Sequence, residues 1–521
     1  MNRIFVLAAI TGILFTASSC TDWLDIRPES EIVLDDYWKN ESQVNQVLAA
    51  CYRSMTEYNA MSRMLVWGEL RSDNVTYGNF MASDMYKMLN VDISPDNSLC
   101  HWGAIYTVIN NCNNFLHYAP GVLDLDPNFT ESKLHSMEAE VLTIRALMYF
   151  YLVRTFEQVP WIAEPSIDDS QDFRIPKSPE DTILNHLVDD LQVALLYARD
   201  KFDNNEYNKG RVTRNAVRAL LADIYLWRQE YTKCVQVCDQ ILNDPNQDLE
   251  LVEGEKVISE VFYEGNSTES IFELQFDDVN MFNWVLRDYY GLSGFESGQW
   301  SFPVIFITGE SSPFNFRVAS GKESEEDLRE KDFLKKNQSG DKYFVFKYAG
   351  SDRLEDKNTG VSTYYYRSTT PNWIVYRLPD IILMKAEALI QLESNLDEAI
   401  ALINRTYLRS NPEILDEGLK STDYNSKLDY ENLLLRERQR ELMFEGKRWF
   451  DLMRLAKRAG EPGPLLNRVM KKYSGTATVQ AAKMSVMDAL YLPVHSDELK
   501  ANSKLVQNPF YELEGDNTIN N

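Results

Sequence analysis

Apolar residues that recur every three or four positions, in paired segments split by a few polar residues, constrain this chain more than any other feature. Between 213 and 242, Val217, Leu220, Leu221 and Ile224 share one helical face, and Tyr231, Cys234, Val235, Cys238, Ile241 and Leu242 share the next. The polar turn at 228–230 makes the pair a helical hairpin. A second hairpin is predicted over 383–408, where Leu396 and Ala399 repeat the spacing of Tyr231 and Cys234 after a first helix containing Ala386 and Ala388. Single amphipathic helices are predicted over 138–156 and 179–200. Such pairs resemble tetratricopeptide units without the full repeat consensus. From 253 to about 372 the character changes to Gly, Ser, Asn and aromatic residues, with short alternating runs at 271–276 and 343–348, so short strands and long loops are expected there. The expected class is mostly α, a helix-pair scaffold with a loop-rich middle that carries a little β-structure.

Charge narrows the partners. The 521 residues hold 53 Lys and Arg against 79 Asp and Glu, a net charge of −26. Such a surface repels phosphate backbones and anionic lipid, so nucleic acid is excluded as a partner, the partner is expected to be neutral or another protein, and a ligand is expected to be neutral or weakly charged and bound with little dependence on salt. A hydrophobic fraction of 44% supplies ample core. Residues 1–19 contain Arg3, an apolar run over 4–15 and small residues Ala17, Ser18 and Ser19 before Cys20. This layout is that of a secretory signal ending at a bacterial lipobox, with Cys20 as the lipidated first residue, although Ala17 stands where the lipobox usually carries Leu. The alternative is plain cleavage near Ser19. No other stretch is long and apolar enough to span a bilayer. Five further cysteines, Cys51, Cys100, Cys112, Cys234 and Cys238, are too few for a disulfide scaffold, and Cys234 and Cys238 are expected to be core residues. The histidines are scattered singly, which gives no support for a metal cluster or a His-based triad, and no cofactor is implied.

The stretch 277–300 concentrates Trp284, Tyr289, Tyr290, Phe295 and Trp300 among glycines, and Tyr364, Tyr365, Tyr366 and Trp373 form a second cluster. A pyranose offers an apolar face of C–H groups that stacks on a ring, while neighbouring polar side chains meet its hydroxyls. Trp284, Tyr289, Tyr290 and Trp300 are therefore the leading ligand-binding candidates, with Asp73 and Tyr77 of the polar stretch RSDNVTYGNF as secondary ones; Arg287 and Arg367 would serve if the ligand were charged. The competing reading is that these rings fill the core beneath the loops.

Residues 436–455 read RERQRELMFEGKRWFDLMRL. Read as one helix, they place Leu435, Leu442, Trp449 and Leu452 on a buried face, with Glu445, Arg448, Asp451 and Arg454 forming a surface ladder of ion pairs three residues apart. Glu437, Arg438, Glu441, Glu445, Gly446, Arg448, Asp451, Leu452 and Arg454 match, residue for residue, the hallmark ER-x-x-E-x-x-x-EG-x-R-x-x-D-L-x-R, and here the chain resembles the SusD/RagB family of Bacteroidetes. LDIRPES after the lipobox, the run at 139–160, YRLPDIILMKAEAL and the closing LPVHSDELKANSKLVQNPFY follow in family order. The resemblance implies four helix pairs supporting a loop-rich region, a lipid anchor on the outer membrane at the cell surface, binding of a glycan rather than catalysis, and a SusC-like TonB-dependent transporter as partner. It divides the chain into a signal peptide at 1–19 and one domain at 20–521, with a helical part at 20–250, a loop-rich ligand-binding region at 251–372 and a C-terminal part at 373–521. The alternative is a glycoside hydrolase using Glu441 and Glu445, one helical turn apart and near the separation of about 5 to 5.5 Å of a retaining pair. Adjacent arginines, which hold carboxylates ionised, argue against it.

Overall fold

Helices that follow one another in sequence also neighbour one another in space. The computed structural model describes residues 37–167, 171–245, 248–292, 294–307, 312–314, 327–355, 362–366, 370–414, 418–473 and 475–516. Cys20, the LDIRPES stretch and Arg367 lie outside them. Gly103–Tyr118 packs on Glu131–Phe156, which packs on Glu180–Tyr197; Arg214–Trp227 packs on Tyr231–Leu242, and Leu378–Leu392 on Leu396–Ser410, with Lys427–Leu442 closing the row. Each amphipathic helix buries its stripe only by meeting the next, which is the physical basis of a solenoid. Glu131–Phe156 is apolar nearly all round and is buried over its last turns from Ala139 to Phe156. Its start is set by Thr130, whose side chain accepts from the Lys133 N–H. The predicted hairpins are both present, with Gln229 at φ 60° in the first turn and Glu393 and Asn395 at 50° and 52° in the second.

The middle of the chain is an excursion between two helices that touch. Tyr231–Leu242 and Leu378–Leu392 pack directly on each other although the whole loop-rich stretch separates them in sequence. The excursion returns on strand Trp373–Arg377, antiparallel to Ser270–Leu274, and runs without a break into Leu378–Leu392. Within it, Trp300–Phe302 lies between Thr76–Tyr77 and Tyr343–Val345 in a four-stranded sheet, with Tyr77 opposite Trp300. Tyr364, Tyr365 and Tyr366 lie on strand Ser362–Tyr366, and Trp373 is fully buried.

The hallmark segment differs from its expected form in two ways. It is two helices, Lys427–Leu442 and Arg448–Ala459, joined by a turn in which Phe444 and Gly446 have φ of 66° and 74°. Gly446 is required here: its conformation strains any L side chain, and its carbonyl sits so close to Gly68 that a Cβ on Gly68 would lie 1.8 Å from that oxygen. Most of its charges, moreover, Glu437, Arg438, Glu441, Glu445, Arg448, Asp451 and Arg454 among them, are buried rather than arrayed on the surface. The turn at Gly446 swings Glu445 away from Arg448, so Glu445 accepts from Arg377 and Lys347 at 2.7 and 2.6 Å, and Arg448 grips Asp73 at 2.8 and 2.9 Å. Of the expected ladder, the Asp451–Arg454 pair forms, at 2.8 Å. Arg377 donates to Glu269, Glu441 and Glu445, and Arg409 and Arg329 complete the shell around Glu441. Glu69 accepts the N–H groups of Phe444, Gly446 and Lys447 at 3.0 to 3.2 Å, and so holds the turn itself. Burial pushes the Glu69 carboxyl up to about 7, although these donors favour its charged form. Ions taken from water need such complete pairing, and their yield is a fixed geometry more than net stability.

Candidate functional site

The helix Trp284–Tyr290 decides which of the ring candidates meet solvent. Asn283 caps it, accepting from the Leu286 N–H at 3.1 Å and donating to the Pro371 carbonyl at 3.0 Å, and Gly291 ends it in the left-handed conformation. Helical spacing turns Val285, Leu286, Tyr289 and Tyr290 inward and leaves Trp284 and Arg287 outside. Tyr289 stacks on Trp300 with 5.0 Å between ring centroids, and its hydroxyl meets that of Ser62 at 2.6 Å. Tyr290 donates to the Phe444 carbonyl at 2.6 Å and thereby fixes the hallmark turn. Trp300, wholly buried, points its indole N–H at the Met85 sulfur. Tyr289, Tyr290 and Trp300 are thus core residues, and the expectation that they stack on a ligand is corrected. Asp73 is corrected likewise: it is buried, and Arg448 holds its carboxyl below the usual range against the opposing effect of burial. Trp284 and Tyr77 remain, 48% and 52% exposed.

Trp284 stands at one end of an elongated cleft. A wider part of about 560 Å³ is lined by Asn45, Tyr52, Arg53, Tyr207, Gln275 and Met281 among others, and it continues past Arg53 and Met281 into a part of about 170 Å³ lined by Tyr58, Phe282 and Trp284. The wider part falls within the range of about 300 to 1,000 Å³ usual for ligand sites. Tyr58, Phe282 and Tyr207 are all exposed rings, so the cleft offers stacking faces at both ends. Polar groups between them are held in place. Tyr58 donates to Asp288 at 3.1 Å, and burial, reinforced by Tyr289 and Asp288, pushes its phenol up, so it keeps its proton. Arg211 forks onto Glu140 at 2.6 and 2.9 Å beside Tyr52, and Arg53 pairs with Glu57 at 3.2 Å. The cations along the cleft are therefore balanced by carboxylates, and nothing in this arrangement selects for an anion. Arg287 lies 4.9 Å over the Trp284 ring and braces it. Tyr77 stands apart from the cleft lining, edge-on to the exposed Tyr86 at 6.3 Å, with the Lys342 ammonium 5.1 Å from its ring.

Sequence reasoning missed Tyr58, Phe282 and Tyr207. Phe282 lay inside the singled-out aromatic stretch; Tyr58 and Tyr207 come from distant helices, and no local spacing marks them. The inward turn of Tyr289 and Tyr290 had a signal in the apolar spacing 285, 286, 289, 290 closed by Gly291.

The two carboxylates of the hydrolase alternative are fully enclosed. Glu441 is held well below the usual carboxylate range by Arg409, Arg377 and Arg329 against the effect of burial, and Arg377 and Lys347 hold Glu445 down similarly. Neither carries the raised pKa of a general acid nor faces a cleft.

Two family models match the chain and together cover more than half of it: one described as the SusD family, over residues 315–511, and one described as starch-binding associating with outer membrane, over residues 22–226. Among curated proteins, SusD-like proteins P38 and P2 of Formosa agariphila are each 24% identical; the matches cover 88% and 85% of this chain and 92% and 89% of those proteins. Among solved structures, a SusD superfamily protein from Bacteroides vulgatus aligns with a TM-score of 0.73 at 21% identity, over 91% of this chain and all of that one. A Bacteroides fragilis protein, NanU, aligns with a TM-score of 0.69 at 20% identity, over 93% of this chain and 100% of that one. At these identities the structural likeness speaks for the fold.

Proposed function

The chain belongs to the SusD/RagB family, and on that premise we propose that it is a cell-surface lipoprotein that captures an oligosaccharide and passes it to a SusC-like TonB-dependent transporter in the outer membrane. The observation that carries the binding role is the Trp284 cleft, which joins exposed rings at both ends to a polar, charge-balanced middle. Rings at the two ends suit a chain of sugars longer than one residue, because each ring covers one pyranose face. Balanced charge suits a neutral glycan. Anchoring would rest on Cys20; no helix among the described residues is long and apolar enough to cross a membrane, in keeping with a lipid tether.

A glycan array on the purified protein, followed by calorimetry on the best ligand with the parent and Trp284→Ala, tests the reading. Binding by the parent that weakens in the variant is the expected result, and a ligand bound equally by both places the site elsewhere. For the anchor, Cys20→Ala should move the protein into the soluble fraction; a variant that stays with the membrane in detergent-free fractionation overturns lipidation at Cys20.

A further inference from the structure

The fold gathers two of the singly scattered histidines. His101 precedes the Gly103–Tyr118 helix, and His495 is the N-cap of Ser496–Ala501, near the other end of the chain. Their rings stack with 3.5 Å between centroids, 24° from parallel. Asp497 Oδ2 faces both, 3.7 Å from His101 Nε2 and 3.8 Å from His495 Nδ1, while Lys500 holds the other oxygen, Oδ1, at 3.1 Å. The carboxylate is thus oriented with one free edge on the imidazoles. Glu498 Oε1 stands 3.5 Å from His101 Nδ1, on the opposite edge of that ring.

We propose that His101, His495 and Asp497 form a binding site for a borderline divalent transition metal, of which Zn2+ is the reference ion. Their ligand atoms all lie within 4.8 Å of one another. Tetrahedral Zn2+ with bonds of about 2.1 Å sets its donors about 3.4 Å apart, so the set closes once the two imidazoles turn out of their stack and aim both lone pairs at one ion. Two imidazole nitrogens and one carboxylate leave a fourth position for water, and nitrogen donors disfavour Ca2+ and Mg2+. Glu498 supplies the outer partner that fixes a ligating imidazole: accepting from His101 Nδ1–H, it leaves the Nε2 lone pair directed at Asp497. Metal at His495 Nδ1 requires the ring to leave its capping position, where Nδ1 accepts from the Asp497 N–H at 3.1 Å, and leaves that N–H to water. Entry is open on one side, since the side chains of His101 and Asp497 are 38% and 63% exposed. An ion here would staple the C-terminal segment onto the N-terminal half.

Titration of the purified protein with ZnCl2, and separately with MgCl2, tests the site, alongside His101→Ala and Asp497→Ala. Both substituted side chains are partly exposed, and melting curves without metal check that the variants fold. The expected result is one Zn2+ per parent chain, affinity at least tenfold lower in each variant, a rise in melting temperature with Zn2+ in the parent alone, and no saturable Mg2+ binding. No saturable Zn2+ binding to the parent, equal affinity in parent and variants, loss in only one variant, or equally tight Mg2+ binding would each overturn the shared three-ligand site.

Discussion

The hallmark segment and the Trp284 segment are both crowded with side chains able to do chemistry, and the fold treats them oppositely. Around Gly446 most of the charges are buried and paired, within the segment or with residues arriving from others, and Arg436 is left exposed. Of the Trp284 helix's three rings, Tyr289 and Tyr290 are spent on the core, as is Trp300 of the neighbouring strand, and Trp284 is left facing water. Density of reactive residue types therefore does not locate a site. The candidate site is the remainder after packing and pairing are satisfied, which here is a few rings along one cleft.

The comparison is most sharply broken at Arg377, the hub of the buried charges. Arg377→Ala leaves Glu269, Glu441 and Glu445 short of a partner inside the protein, and a loss of about 3 to 5 kcal/mol is expected in denaturant unfolding. A loss below 1 kcal/mol would mean that water enters the network. Trp449→Ala should cost a similar about 3 to 5 kcal/mol through its cavity, Trp449 being wholly buried; an unchanged melting temperature contradicts that burial. Acid provides a third test. Burial alone would raise Asp380, but Lys447 and Arg438 hold it at about 2, and Arg329 and Arg440 hold Glu437 at about 2 in the same way. Because these folded-state values lie below the unfolded ones, their contribution is complete above about pH 4.5 and is lost as pH falls toward 2. It amounts to roughly 2 to 3 kcal/mol each at 1.36 kcal/mol per unit. Thermal unfolding between pH 6 and 2 should show the decline, and a flat profile counts against the paired assignment.

On the other side of the comparison, substitutions should leave stability alone and change binding. Trp284→Ala should weaken glycan binding about 5- to 150-fold, on the scale of about 1 to 3 kcal/mol for a ring stacked on a base, with a melting temperature near the parent's. Tyr290→Ala should do the reverse and lower the melting temperature. If Trp284→Ala destabilises the fold and Tyr290→Ala alters only affinity, the division between core and site is drawn the wrong way. The smallest effect is expected at Tyr77, outside the cleft lining, where Tyr77→Ala should change affinity less than threefold in the same calorimetry.

Much of the scaffold was legible because helical periodicity is local: the spacing of Val217, Leu220, Leu221 and Ile224 carries the first hairpin without reference to anything distant. The hallmark break was less so, although Gly446 in the middle of it is a stop signal that the continuous charge pattern obscured. Burial of the ladder could not be read at all, since it depends on Arg377, Arg329 and Lys347 arriving from elsewhere in the chain. The site was half legible for the same reason. Trp284 announces itself as a ring beside a helix start, but whether its neighbours face in or out is settled by Ser62, Met85 and Phe444, and Tyr58 and Tyr207 join the cleft only through tertiary contacts.

That the middle segment leaves and re-enters the scaffold at two helices already in contact has a consequence for how such a protein can change over generations. The two exits stay together whatever the intervening chain does, and closing a longer loop between fixed points costs only about 0.6 kcal/mol per doubling of its length. Length changes in the segment's exposed loops leave the register of the helix pairs untouched, provided that Arg329, Lys347, Arg377 and Tyr290 keep their contacts with the hallmark segment. The loops of the excursion can thus vary against a fixed frame, while Tyr52, Arg53 and Tyr207 of the cleft stay with the helices.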